Sequence, residues 1–173
     1  MRKSLVVGID YYENVSPLYG CVSDAYSVKT VLDRHSDGTI NFGVRIETST
    51  GPHSQISRKK LKELVKELFA DASEIALFYY SGHGHIESTG GYLITSECSE
   101  GDDGFPMNEL LQIANDSPSR NKIIILDCCH SGIAGNMGQN ESKAILNDGI
   151  TILTASSAEQ YAMEINGSGV FTR

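Results

Sequence analysis

The sequence predicts an α/β layer fold with a mostly parallel central sheet flanked by helices. Three observations lead there. Five short apolar runs, at 5–9, 44–47, 75–80, 122–126 and 150–155, have the length of strands. Three of them are almost unbroken aliphatic or β-branched stretches, the composition of strands covered on both faces. Between the runs lie helical patterns, and strands alternating with helices build parallel sheets because parallel neighbours need a long crossover.

The first run, Leu5-Val6-Val7-Gly8-Ile9, stops at Asp10, too soon for a signal-peptide core or a membrane span. Residues 24–35 place Ala25, Val28, Val31 and Leu32 at helical spacing. After the second strand, residues 56–69 form the clearest helix. Leu61, Leu64, Val65, Leu68 and Phe69 make one stripe, with Lys59, Lys60, Lys62, Glu63, Lys66 and Glu67 outside it. The third strand runs into Tyr80-Ser81-Gly82-His83-Gly84, and residues 97–104 are an acidic loop. A weaker helix spans 106–114, with Pro106 near its first turn. The fourth strand runs into Asp127-Cys128-Cys129-His130-Ser131-Gly132. Residues 132–149, rich in Gly and Asn, read as a long flexible loop before the last strand.

A chain of 173 residues predicts one domain, able to bury roughly 70% of its unfolded surface. Apolar content of 40% and charged content of 21% are ordinary for a soluble protein. The net charge of -8 argues against nucleic acid as a partner, since that requires clustered Lys and Arg. With no secretion signal and no membrane span, the four cysteines, Cys21, Cys98, Cys128 and Cys129, are expected as free thiols in a cytosolic protein.

In parallel α/β sheets chemistry gathers beyond the carboxyl ends of the strands, and both His83 and Cys129 follow such ends. A thiol attacks a carbonyl only as thiolate, so it needs a nearby base. His83 is the candidate base, with a glycine on each side to let the backbone turn and open the imidazole to a cleft. Cys129 is the candidate nucleophile. The two are 46 positions apart, and strand ends of one sheet can bring them together. The backbone N–H groups of Gly84 and Cys129 are the candidate oxyanion donors, and Gly84 permits close approach of a substrate backbone.

Tyr80-Ser81-Gly82-His83-Gly84 followed by Asp127-Cys128-Cys129-His130-Ser131-Gly132 resembles the caspase-type cysteine peptidase family. The His-to-Cys spacing matches the roughly 50 residues of that family. In motif the second segment is most like metacaspases and bacterial caspase-like proteases. Val6-Val7-Gly8-Ile9-Asp10-Tyr11-Tyr12, Leu18-Tyr19-Gly20-Cys21-Val22-Ser23-Asp24-Ala25 and Gly169-Val170-Phe171-Thr172 extend the resemblance along the chain. It implies a caspase-like layered fold over residues 1–173, lacking a C-terminal helix and strand portion. It also implies that Cys129, not Cys128, is the nucleophile; Cys128 is expected as a small buried residue.

Asp127 lies two residues before Cys129, so strand alternation points both to one side. Where animal caspases hold an acidic P1 residue (the residue before the scissile bond), an Asp would repel it and attract Arg or Lys. Asp24 reads on composition as a helix N-cap; the resemblance makes it the second acid of the S1 pocket. His35, His53, His85 and His130 carry weaker signals. Zinc is not expected, because adjacent cysteines cannot easily both ligate one tetrahedral ion and no C-x-x-C pair exists. Calcium activation is implied by the resemblance alone. The acids Glu97, Glu100, Asp102 and Asp103 lack EF-hand spacing and read as a solvated loop.

The resulting expectation is an endopeptidase cutting after Arg or Lys with a Cys–His dyad, acting on protein or peptide substrates. Its own C-terminal fragment or an associated regulatory domain is a further expected partner. Two alternatives differ in class: a caspase-like binding module without activity, and a Cys–His hydrolase or acyltransferase on a non-peptide substrate. Arg173 is itself a basic residue and a candidate self-processing site in a longer precursor.

Overall fold

The computed structural model describes residues 1–99, 103–128 and 148–155 in full, and 164–165 and 168–169 as backbone. Its main sheet has five strands: β1 (Arg2–Ile9), β2 (Gly43–Ser49), β3 (Ile75–Ser81), β7 (Asn121–Asp127) and β8 (Ile150–Thr154). They lie in the order β2-β1-β3-β7-β8 and every pairing is parallel. All five carboxyl ends therefore share one edge. A smaller antiparallel sheet follows β3, made of β4 (Gly84–Glu87), β5 (Gly90–Leu93) and β6 (Phe105–Pro106). The backbone pair β9 (Glu164–Ile165) and β10 (Ser168–Gly169) is antiparallel.

Among the described residues three α-helices cover the sheet: α1 (Cys21–Asp33), α2 (Arg58–Ala70) and α3 (Met107–Asn115). The chain leaves β1 for β2 on one side and returns across β1 to β3 on the other. Parallel crossovers are right-handed, so opposite directions of travel put α1 and α2 on opposite faces. The core accordingly divides in two. Leu5, Val7, Ile9, Phe78 and Tyr80 pack with Leu61, Leu64, Val65 and Phe69 of α2 and with Leu110, Leu111 and Ala114 of α3. Val6, Leu77 and Tyr79 pack with Ala25 on the α1 face.

The strands begin and end within a few residues of the predicted runs, and β1 and β3 are covered on both faces as expected. In β7, by contrast, Ile123 and Ile125 are only half-buried, and β8 is exposed at Thr151 and Leu153. The predicted start of the first helix, at residue 24, falls within its first turn. The helix opens at Cys21 because the Asp10 carboxylate accepts the N–H groups of Cys21 (2.9 Å) and Val22 (3.4 Å). The cap comes from eleven residues upstream, where no local pattern reveals it. The helix predicted over 106–114 starts at Met107, because Pro106 belongs to β6.

Candidate active site

β1 and β3 are neighbours whose chains depart in opposite directions, which makes the gap between their carboxyl ends the topological switch point of the sheet. Ligand sites in open parallel sheets form there. The loop after β1 carries Tyr12 and Ser16, and the link after β3 carries His83.

His83 is held at its backbone and at its ring. Its N–H donates to Tyr12 Oη at 2.8 Å, and its carbonyl accepts from Ile94 N and from Tyr80 Oη, both at 3.0 Å. The imidazole tilts by 52° against the Tyr12 ring, with centroids 4.7 Å apart. Its Nε2 lies 2.9 Å from the Ser16 carbonyl oxygen. A carbonyl can only accept, so Nε2 carries a proton, and in the neutral ring the lone pair is then on Nδ1. The ring is thus a base at Nδ1 with its far nitrogen held by an orienting acceptor.

The loop that supplies these contacts is itself tied down. Asp10 N and Tyr11 N donate to Ser49 O, Glu13 N to Ser96 O at 2.8 Å, and Leu18 N to Asp10 O at 2.9 Å. Asn14 Nδ2 reaches the carbonyls of Glu97 and Cys98 at 3.3 and 3.4 Å. A cleft of about 370 Å³ opens between Val15 and Ser16 of this loop and His83, Gly84 and His85, with Ile94 and Cys98 completing its lining.

Glycine has a different purpose here from the expected one. Positive φ occurs at Gly38, Gly90 and Gly149, not at Gly82 or Gly84. Gly82 is needed for room: a Cβ there would meet Tyr80 Oη at 2.5 Å and Tyr12 Oη at 2.6 Å. Gly84 pairs with Leu93, next to the hydrogen bond from Ile94 N to His83 O. Antiparallel ladders bond at alternate residues, so the Gly84 amide turns away from β5.

The other predicted residues divide into two groups. Asp24 and Asp127 are both buried, on the α1 side of the sheet at its carboxyl edge. Tyr79 Oη donates to Asp127 Oδ2 at 3.4 Å. Asp24 is the fourth residue of α1 and not its cap, since Gly20 holds that position and Asp10 supplies the carboxylate. Neither acid lines the cleft beside His83. Cys128 is buried in the core on the α2 face, as a small apolar residue would be. Cys129 and His130 lie outside the described residues, as do Glu100, Asp102, 131–147 and 170–173.

Cys98 lines the cleft, yet burial pushes its thiol pKa up and Thr95 holds its sulfur at 3.1 Å. It is a poor thiolate candidate. His85 Nε2 pairs with Glu87 Oε1 at 2.7 Å. In the acidic loop, Glu97 Oε1 accepts Arg58 N at 2.9 Å, at the first residue of α2. Asp103 accepts from the Ser99 hydroxyl at 2.8 Å. Among the described residues no group of His, Cys, Asp and Glu is arranged to hold a metal ion, and no helix is long and apolar enough to cross a membrane. The sequence reading missed the part played by Ser16, whose contribution is a backbone carbonyl and leaves no residue signature. It noticed Tyr12 and Tyr80 only as members of matching stretches. The sequence reading also did not include the β4–β5 hairpin, whose two-residue turn is Ser88-Thr89.

A family model described as the caspase domain matches residues 1–173. Metacaspase-4 of Arabidopsis thaliana is 31% identical over 149 residues, covering 76% of this chain and 34% of that protein. Metacaspase-7 of the same plant is 29% identical over 149 residues, covering 76% and 35%. Metacaspase-1 of Schizosaccharomyces pombe is 28% identical over 86 residues, covering 48% and 20%. The chain thus spans about a third of the length of the two plant relatives.

Proposed function

The chain belongs to the caspase-domain family, and from that premise we propose that it is a cysteine endopeptidase cutting after Arg or Lys, with Cys129 as nucleophile and His83 as base. One observation carries the dyad. Ser81 and Asp127 are register partners on adjacent parallel strands, and His83 and Cys129 each follow their partner by two residues. Adjacent strands are about 4.8 Å apart, and two Cα steps reach at most about 7.6 Å. This limits the two Cα atoms to a separation of at most about 20 Å, a range compatible with the dyad.

The chemistry follows from the tautomer. His83 Nδ1 takes the thiol proton, and the imidazolium is stabilised by its Nε2–H bond to Ser16 O. The thiolate attacks the scissile carbonyl carbon, and the amides of Gly84 and Cys129 receive the oxyanion. His83 returns the proton to the leaving amine as the C–N bond breaks, leaving a thioester. A water, deprotonated by the same Nδ1, then hydrolyses it. Asp24 and Asp127 give the α1 side of this edge an acidic character that repels an Asp side chain and attracts a guanidinium. The proposed setting is the cytosol, where thiols stay reduced.

The test is a panel of short peptide amides differing only at P1. Cleavage after Arg and Lys, absent after Asp, is the expected result. Cys129→Ala and His83→Ala should each abolish turnover in a folded protein, and Asp127→Asn or Asp24→Asn should raise KM for the Arg substrate or lower kcat. A preference for Asp would remove the basic S1 assignment, and an active Cys129→Ala would remove the nucleophile.

A further inference from the structure

Resting on His83 as the base, we propose that the hydroxyl groups of Tyr12 and Tyr80 are the positioning device of the imidazole, keeping it against the Ser16 carbonyl and so in the tautomer that leaves Nδ1 free for the thiol. Tyr80 Oη lies 2.7 Å from Ile94 O and 3.0 Å from His83 O, and carbonyls cannot donate, so the single Tyr80 proton points to them. Tyr12 Oη accepts the His83 N–H at 2.8 Å. The two hydroxyls therefore hold His83 at both of its backbone groups, Tyr12 at the N–H and Tyr80 at the carbonyl, and Tyr80 ties the latter to Ile94 O as well.

Burial makes these bonds costly to lose. Tyr12 and Tyr80 are both buried, and unsatisfied polar groups are costly there. Rotating His83 would break several bonds together. The same loop that presents the Tyr12 hydroxyl presents the Ser16 carbonyl four residues later, and the Tyr12 ring leans on the imidazole. Backbone, ring plane and Nε2–H are therefore referenced to one segment. Gly82 completes the fit, because both hydroxyls occupy the space a Cβ would take. Tyr12 and Tyr80 act through His83 and need touch no substrate.

Tyr12→Phe keeps the ring and removes the hydroxyl. Two measurements test it. On an Arg amide substrate, kcat should fall about ten- to a hundredfold, the scale of a misplaced catalytic group. KM should move less than about threefold, since no binding contact is lost. In the Cys129→Ala background, nitrogen-15 NMR of the His83 imidazole should show the Nε2–H form in the parent and a mixture with Nδ1–H in Tyr12→Phe. Tyr80→Phe should shift both readings the same way and serves if Tyr12→Phe does not fold. A folded variant with native kcat and an unmixed Nε2–H imidazole overturns the proposal. If the native protein cleaves no amide, the proteolytic reading fails and the imidazole spectrum alone decides the positioning role.

Discussion

Two hydroxyls stand where a side chain on residue 82 would begin, at 2.5 and 2.6 Å from its Cβ. Neither can retreat, since Tyr80 is bonded to Ile94 O and Tyr12 to His83 N. Gly82→Ala should therefore destabilise the fold by about 1–3 kcal/mol, the usual cost of overpacking, and lower kcat by moving His83. Thermal unfolding and steady-state kinetics on one preparation check this; an alanine variant with native Tm and kcat would contradict the packing. Cys128 gives the opposite expectation. Its side chain joins the core with Leu126 and Ile124, so Cys128→Ala removes one buried sulfur and leaves the proposed chemistry intact. It should keep most of the activity that Cys129→Ala abolishes.

At the scale of elements, the packing of α1 on β1 governs the acidic side of the site. A Cβ on Gly8 would lie 2.5 Å from Cys21 O and 2.8 Å from Ala25 Cβ. The helix start can approach the strand this closely only over a glycine. Gly8→Ala should push the first turn of α1 outward, with Asp24 on it, at a cost of about 1–3 kcal/mol. The expected kinetic signature is a KM for Arg substrates that rises more than kcat falls, because α1 carries the proposed S1 acid and not the base. Equal loss in both would place Asp24 outside substrate recognition. A different device holds the start of α2, where Ser57 Oγ accepts Lys60 N at 3.1 Å. Ser57→Ala should cost about 1 kcal/mol and leave KM unchanged, since this helix lies across the sheet from Asp24.

For the whole molecule, the phenols at the switch point set an alkaline limit. Burial raises the pKa of Tyr12 and Tyr80 well above that of a free tyrosine. A group whose folded pKa is raised contributes stability that is complete below its unfolded pKa, about 10 for tyrosine. That contribution is lost as pH rises further, because only the unfolded chain can ionise. Stability should therefore hold at neutral pH from these groups and decline above about pH 10. A titration following tyrosinate absorbance and circular dichroism together should show the last tyrosines ionising only as the fold is lost. Full ionisation of all eight tyrosines in a folded chain would show that Tyr12 and Tyr80 are accessible.

Apolar runs such as Leu5–Ile9 and the stripe from Leu61 to Phe69 determined the parallel sheet and its helices, because burial on one or both faces writes its period into the chain. The same holds for His83 and Cys129 as candidates, since a motif at a strand end is local in sequence. Tertiary structure alone decided the rest. The hand of the crossovers put α1 and α2 on opposite faces and the switch point between β1 and β3. Folding brought a carboxylate at residue 10 to cap a helix at residue 21, and a backbone carbonyl at residue 16 to select the tautomer of His83. It also brought two tyrosines 68 positions apart in the chain onto the backbone N–H and carbonyl of one histidine. Such contacts depend on distance in space, and hydrogen bonds to backbone groups are available to any residue type, so no spacing or composition along the chain announces them.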